Sequence, residues 1–394
     1  MPRGIPALVR PALLVWARER AGFSLEQAAE KTGNEIETLR SWEASGGEHP
    51  SIPQLRKLGE VYKRPLAVFF LPKPPEGFDP QSEFRRLAGL TPQNETPELR
   101  LALRMALFRR EAAREMYAQL GDSVQTCTTV VHPHEQDETV GQRIRDLLGI
   151  SWRDQLGWAG PYAALNAWRA AVERQGILVF QTGDVELSEM RGTSIPHGPL
   201  PVILLNNADA PHGRIFTLLH EFAHILMANG GHQTSSMDGK RMPEEQFLER
   251  ASNRFAAAAL LPAKEFLAEA HNFPGALVGD DDDLRRFANR IKVSPEAILR
   301  RLLSLQKIPA SVYRVKRKGW QQKPWHSPPQ AAGGPPIEVR VISSVGRPFA
   351  SLVLESYQRN AVSSSDVVDF LGVQLKHLTK IAGQLIPEPG GAFG

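Results

Sequence analysis

The sequence predicts a mainly α-helical chain with a small β-sheet (α+β), its N-terminal part a five-helix unit of helix-turn-helix type. Three observations lead there: short helical patterns in the first 45 residues, two β-branched runs at 176–181 and 200–207, and two long helical patterns behind them at 213–229 and 243–261. At 394 residues the chain exceeds what one hydrophobic core usually serves, so more than one domain is expected.

Charge narrows the function classes. Lys and Arg number 47 against 43 Asp and Glu, a net of +4, so bulk charge does not single out a nucleic-acid binder and any such contact must be local. The single cysteine, Cys127, excludes an internal disulfide framework and a Cys-rich zinc site, so a metal here needs histidine and carboxylate ligands. The N-terminal apolar run is broken by Pro6, Arg10 and Pro11, and no run approaches ~18 apolar residues. The expectation is a soluble cytoplasmic protein without a membrane partner, its oligomeric state open, a homodimer included.

The elements follow in order. LVRPALLVWARERAG, SLEQAAEKTG and NEIETLRSWEASG predict three short helices with tight glycine-containing turns, the spacing of a helix-turn-helix unit. Ser24 and Asn34 are candidate N-caps, Asn34 with Glu37 forming a variant capping box. LPKPPEGFDPQ at 71–81 cannot continue a helix and closes the first domain near residue 75. A helical connector is expected over 76–159, with helices at 97–121 and 138–149, followed by a helix at 161–175. GILVFQ and LPVILLNN read as strands. A helical pattern at 282–304 starts behind Asp280–Asp283, a run that suits a solvated helix N-terminus, and contains Ser294 as N-cap with Pro295 in the first turn. Residues 313–336 read as a linker; Trp320 and Trp325 among its basic residues allow nucleic-acid stacking as the other use. EVRVISS predicts a strand ahead of two short helices, a small α/β segment over 337–394.

The chemistry concentrates in RIFTLLHEFAHILMA. Its H-E-x-x-H places His220 and His224 on one helical face a turn apart, and Glu221 beside the first of them, where it can take a proton from a water that a metal activates. Two histidines flanking a core would also suit the neighbours Leu218, Leu219, Phe222 and Ile225. A catalytic zinc takes three protein ligands, so a third must lie elsewhere. Glu249 sits in EEQFLERASNRFAAAALLP, an Ala- and Leu-rich helix where a carboxylate needs a partner; Glu244 and Glu245 are nearer the helix start and serve its dipole. Asn253, one turn on from Glu249, is a candidate acceptor from a ligand imidazole. Val202, Ile203, Leu204 and Leu205 form the candidate strand to which an extended substrate adds. With no tyrosine between Tyr162 and Tyr313, oxyanion donors come down to His197, His212, His232 and Arg254.

Two resemblances extend this reading. Residues 1–75, with RSWEASG and SIPQLRKLGEVYKRPLAVFFLP, resemble the XRE-type helix-turn-helix family, which implies DNA contacts from the third helix at Glu35, Thr38, Arg40 and Ser41. Glu35 and Glu37 depart from that use by facing phosphates with carboxylates, and 11 Lys/Arg against 8 Asp/Glu leave a protein-docking module open. LLNNADAPHGRIFTLLHEFAHILM followed by LERASNRFAAAALLP resembles the ImmA/IrrE family of zinc peptidases over 160–305, with Ser252 at the usual Ala position. That resemblance implies a zincin-like domain over 160–312, one Zn2+ or similar divalent ion on His220, His224 and Glu249, and Glu221 as catalytic base. It further implies a regulatory endopeptidase that cuts a transcriptional repressor to switch on stress-response or mobile-element genes. The competing expectation is a transcriptional regulator whose peptidase-like domain acts only as a sensor.

Overall fold

The computed structural model describes residues 6–64, 66–73, 96–232, 243–278, 280–322 and 334–385, with backbone alone at 243–245 and 321–322. The described residues are mainly helical with one three-stranded sheet, and none of their helices is long and apolar enough to cross a membrane. The chain divides into two compact units, Met1–Arg85 with Leu90–Met105 and Arg86–Gly89 with Ala106–Gly394.

In the first unit, Pro11–Ala21 (α1), Leu25–Thr32 (α2), Ile36–Glu43 (α3) and Ile52–Tyr62 (α4) precede a 3₁₀ turn at Leu66–Phe70. Side-chain capping marks the start of α2 but not of α1 or α3. Ser24 and Gln27 form a full capping box on α2, while on α4 the Ser51 N–H and Oγ both donate to Gln54 Oε1, at 2.8 and 2.7 Å. Asn34 does not cap α3: Glu35 holds that position without a side-chain bond, because the Asn34 amide turns back toward the Thr32 carbonyl. Leu14, Ala17, Phe23, Ala28, Leu39, Trp42, Leu55, Tyr62 and Phe69 close one core. Arg18 grips Glu43 through Nε and Nη2 at 2.8 and 2.9 Å, pinning α1 to the end of α3.

In the second unit, the chain enters through Pro97–Leu120 (α5), whose residues to Met105 count with the first unit. Asp137–Leu148 (α6), Trp152–Gly157 (α7) and Pro161–Glu173 (α8) lead into Leu178–Thr182 (β1), Gly192–Ile195 (β2) and Val202–Asn206 (β3). The sheet order is β1-β3-β2, with β1 parallel and β2 antiparallel to β3. Pro211–Asn229 (α9) and Pro243–Leu260 (α10) pack together beneath it, around Leu218, Leu219, Phe222, Ala251, Phe255 and Ala259. Arg145 on α6 donates to the Ala259 carbonyl at 2.8 Å, which anchors the end of α10. Ala263–Ala270 (α11) follows.

The predicted helix at 282–304 is two helices, Asp281–Ile291 (α12) and Pro295–Ser304 (α13), split where Lys292 takes φ 59° and Ser294 caps the second. Asp280 caps α12 by accepting from the N–H groups of Asp282 and Asp283. The expected linker begins as a helix, Ala310–Gln322 (α14), which includes Trp320; Trp325 lies outside the described residues.

The expected strand EVRVISS is a helix, Ile337–Val345 (α15). Its apolar residues recur every fourth position as well as alternately; a strand would put Val339 on the same face as Val341 and Val345, and the exposure of Val339 beside the burial of the other two selects the helical period. Arg347–Gln358 (α16), Ser364–Leu371 (α17) and Leu378–Leu385 (α18) complete an all-helical end. This end closes one side of the sheet. Leu178 N–H bonds toward β3 at Pro201, so the alternate carbonyls of Val179 and Gln181 point outward; Arg169 caps the first and Ser344 Oγ the second, at 3.1 Å.

Candidate metal centre

Helix α9 begins with Pro211 in its first turn and runs without a glycine past residue 213, so His220 and His224 stand one turn apart on a regular scaffold. Their Nε2 atoms are 3.1 Å apart. From α10, Glu249 presents Oε1 at 3.2 Å from His224 Nε2 and Oε2 at 3.5 Å from His220 Nε2. All the potential ligand atoms lie within 4.8 Å of one another, and the two imidazoles are largely shielded from solvent.

These spacings fit a bound ion. Ligand atoms about 2.0–2.1 Å from a tetrahedral zinc stand about 3.3–3.4 Å apart, and the observed 3.1, 3.2 and 3.5 Å bracket that value. A neutral histidine pair has no such need to turn both Nε2 atoms toward the same carboxylate. Burial works to raise the Glu249 carboxyl, but hydrogen bonds and charge from His220 and His224 outweigh it and hold it well below the usual carboxylate range. Burial likewise works to lower His220, yet Glu249, Glu221 and Asn253 together hold it above its ordinary value. The cluster sets an anionic Glu249 beside a raised His220, electrostatics that a divalent ion would take over on binding.

Glu221 is buried and takes no part in the three-atom cluster. Its Oε2 accepts a hydrogen bond from Ser194 Oγ at 2.7 Å. Sequence reasoning missed both Ser194 and its strand, because GTSI is only four residues long and lacks the alternation of a half-buried strand. A signal existed in Gly192: a Cβ there would come within 2.4 Å of Thr217 Cγ2 on α9, so β2 approaches the helix only because residue 192 has no side chain.

Other candidates fall differently. Asn253 donates its amide to the Glu249 carbonyl at 2.8 Å, and its side chain also helps to hold His220 above its ordinary value by hydrogen bonding, the direction an acceptor gives, while the buried Nδ1 of His220 has no partner at full hydrogen-bond geometry. Val202, Ile203, Leu204 and Leu205 cannot receive an added strand: they lie on β3, the central strand, with β1 and β2 on either side. Arg254 is committed to Asp137 and the Pro133 carbonyl, and His232 faces His132. Burial pushes His197 and His212 down, helped by the charges of Arg110 and Lys292. The side chains of Glu244 and Glu245 lie outside the described residues. In the first unit, Glu35 and Glu37 are exposed, Thr38 and Ser41 half-buried, and Arg40 is bonded to Glu37 at 2.6 Å.

No curated protein matches the chain. Residues 172–303, the span from the end of α8 to α13, match a peptidase family described as the IrrE N-terminal-like domain. The match contains His220, His224, Glu249, Glu221 and Ser194, and leaves out the first unit and the C-terminal helices.

Proposed function

We propose that this chain is a regulatory zinc-dependent endopeptidase that cleaves a specific partner protein, a transcriptional repressor. One observation carries the reading: two nitrogens and a carboxylate from two helices converge at zinc-ligand spacing, with a separate buried carboxylate next to the first ligand. When bound, zinc would be held by His220, His224 and Glu249 and would supply Lewis-acid polarisation of the scissile carbonyl and of water. Glu221 is the base. Ser194 occupies its Oε2, which leaves Oε1 to take a proton from the attacking water and pass it to the leaving amide nitrogen.

The substrate's backbone has one place to add among the described strands. The β1 edge is closed by Arg169 and Ser344, whereas β2 pairs with β3 on one side only. An extended peptide laid along β2 would run beside the strand whose Ser194 bonds Glu221 of α9. The first unit we assign to recognition. Helices α2 and α3, joined by the short turn Gly33–Glu35, support a helix-turn-helix reading with Glu35, Thr38, Arg40 and Ser41 on the presented helix, for DNA or for the repressor itself.

Co-expression with the proteins encoded beside it tests the reading. Fragments that require metal and disappear with Glu221→Gln are the expected result. If no neighbour is cut while Glu221→Gln still supports the regulatory response, the domain is a sensor.

A further inference from the structure

We propose that His132 and His232 form a second divalent-metal site, at the C-terminal end of α9, for a borderline transition ion such as Zn2+. It stands apart from the peptidase reading and shares none of its residues. His132 Nδ1 and His232 Nε2 lie 3.2 Å apart, with ring centroids at 5.4 Å and planes at 90°. The pair His220 and His224 shows nearly the same arrangement, 3.1 Å between nitrogens, 4.7 Å between centroids and 71° between planes. An ion between the nitrogens would replace the one hydrogen they can share, and imidazole nitrogen suits zinc, nickel and copper.

The pair is built on fixed backbone. His232 N–H bonds to the Met227 carbonyl at 3.2 Å, continuing the end of α9. The opposing segment is tied to that same end: Asn229 Nδ2 donates to the carbonyls of Cys127 and Thr129 at 3.0 Å each, and Val131 N–H donates to Leu226 at 3.2 Å. His132 itself is held through its N–H on Glu135 Oε1 at 2.8 Å. Gly230 makes the approach possible. A Cβ there would stand 2.9 Å from Val130 Cγ1 and 3.5 Å from His132 Cε1. The Glu135 carboxylate is engaged by Arg143 at 2.7 Å, so it is not counted as a ligand. His132 is exposed, and water can fill the other coordination positions. Two protein ligands make this the weaker centre, one that fastens residues 127–132 to the helix bearing His220 and His224.

The test uses the full chain, stripped of metal and titrated with Zn2+ by calorimetry and equilibrium dialysis. Wild type should take two equivalents of unequal affinity. Because His132 is exposed, His132→Ala should fold, and it should weaken the lower-affinity equivalent by at least about tenfold while sparing the tighter one. His224→Ala should do the reverse, so failure of this site and failure of the main centre are told apart. His271→Ala, an exposed histidine elsewhere, should change neither. A single equivalent in wild type overturns the proposal, as does a second equivalent that persists in both His132→Ala and His232→Ala.

Discussion

On α9 and α10, three polar side chains from two helices point at one another; on α3, a similar set points into water. His220, His224 and Glu249 meet at 3.1–3.5 Å in a largely shielded place, where desolvation is opposed only by what the groups do together. On α3, Glu35, Glu37 and Arg40 are exposed, and Arg40 settles on its own neighbour Glu37. Helical spacing alone does not distinguish the two. Convergence from separate elements does, because bringing buried ionisable groups together has a cost that ordinary solvation of a helix face never incurs.

Breaking the convergence gives the largest expected effect. His224→Ala or Glu249→Ala removes one of three ligands and should weaken zinc binding by more than ~100-fold, beyond the range typical of losing a ligand's outer partner. Competition against a chelator of graded affinity measures it, and unchanged affinity in both variants would show that the ion sits elsewhere.

The neighbour that does not converge sharpens the comparison. Glu221→Gln keeps the shape and the Ser194 contact but removes the base, so cleavage should fall at least ~100-fold with zinc retained. Ser194→Ala leaves the base without its anchor and should cost about tenfold in kcat with KM little changed, as for one hydrogen bond to a charged group. Equal losses of zinc and activity in Glu221→Gln would make Glu221 structural.

Much of this centre was legible in the chain. H-E-x-x-H puts two imidazoles on one helical face by geometry alone, and Glu249 stands out as a carboxylate in an Ala-rich helix. What could not be read depended on tertiary partners. Ser194 matters only because Gly192 lets a four-residue strand approach α9, and β3 proved central because β2 pairs to its far side. EVRVISS is helical, with Val341 and Val345 buried and Val339, which a strand would place on their face, exposed. Short apolar runs satisfy periods of two and of four equally well, and the core decides between them.

Protonation should separate the metal-free centre from the loaded one. His220 is held above its usual value, so its stabilising contribution is full below the unfolded pKa of about 6.5 and is lost as pH rises through the folded value. Glu249 is held below its usual value, so its contribution is present above about 4.3 and is lost as pH falls through the folded value. The metal-free protein should therefore gain more from this cluster at pH 6 than at pH 8. Zinc affinity should run the other way, because the ion needs the neutral imidazole and releases its proton. Calorimetry at pH 6 in buffers of different ionisation enthalpy reads that proton directly, and binding without proton release would contradict the assignment of His220 as ligand.

A smaller effect comes from a polar group on α10 that converges on nothing. Ser252 is fully buried and its hydroxyl has no hydrogen-bond partner, one turn from residues that do. Ser252→Ala removes an unsatisfied donor and should stabilise the fold by about 1 kcal/mol, about 2–4 °C in Tm for a unit of this size. A loss of stability would mean that the hydroxyl is satisfied in solution.

The smallest expected effect lies on α3, and its sign carries the information. Arg40 is exposed and bonded to Glu37 at 2.6 Å, an exposed pair worth at most about 1 kcal/mol. If α3 meets DNA, Arg40→Ala should weaken binding by roughly fivefold, the low end for a base-edge contact, because Arg40 must first leave Glu37. Glu37→Ala should then strengthen binding by a similar factor, since it releases Arg40 and removes a carboxylate facing phosphate, and raising the salt should erode both effects. A protein partner with a basic surface gives the opposite pair of signs: Glu37→Ala weakens it and Arg40→Ala strengthens it. Gel shifts with sequence from the chain's own locus, run beside pull-downs with the proteins encoded next to it, decide between them. The DNA assignment of α3 fails if Glu37→Ala lowers DNA affinity.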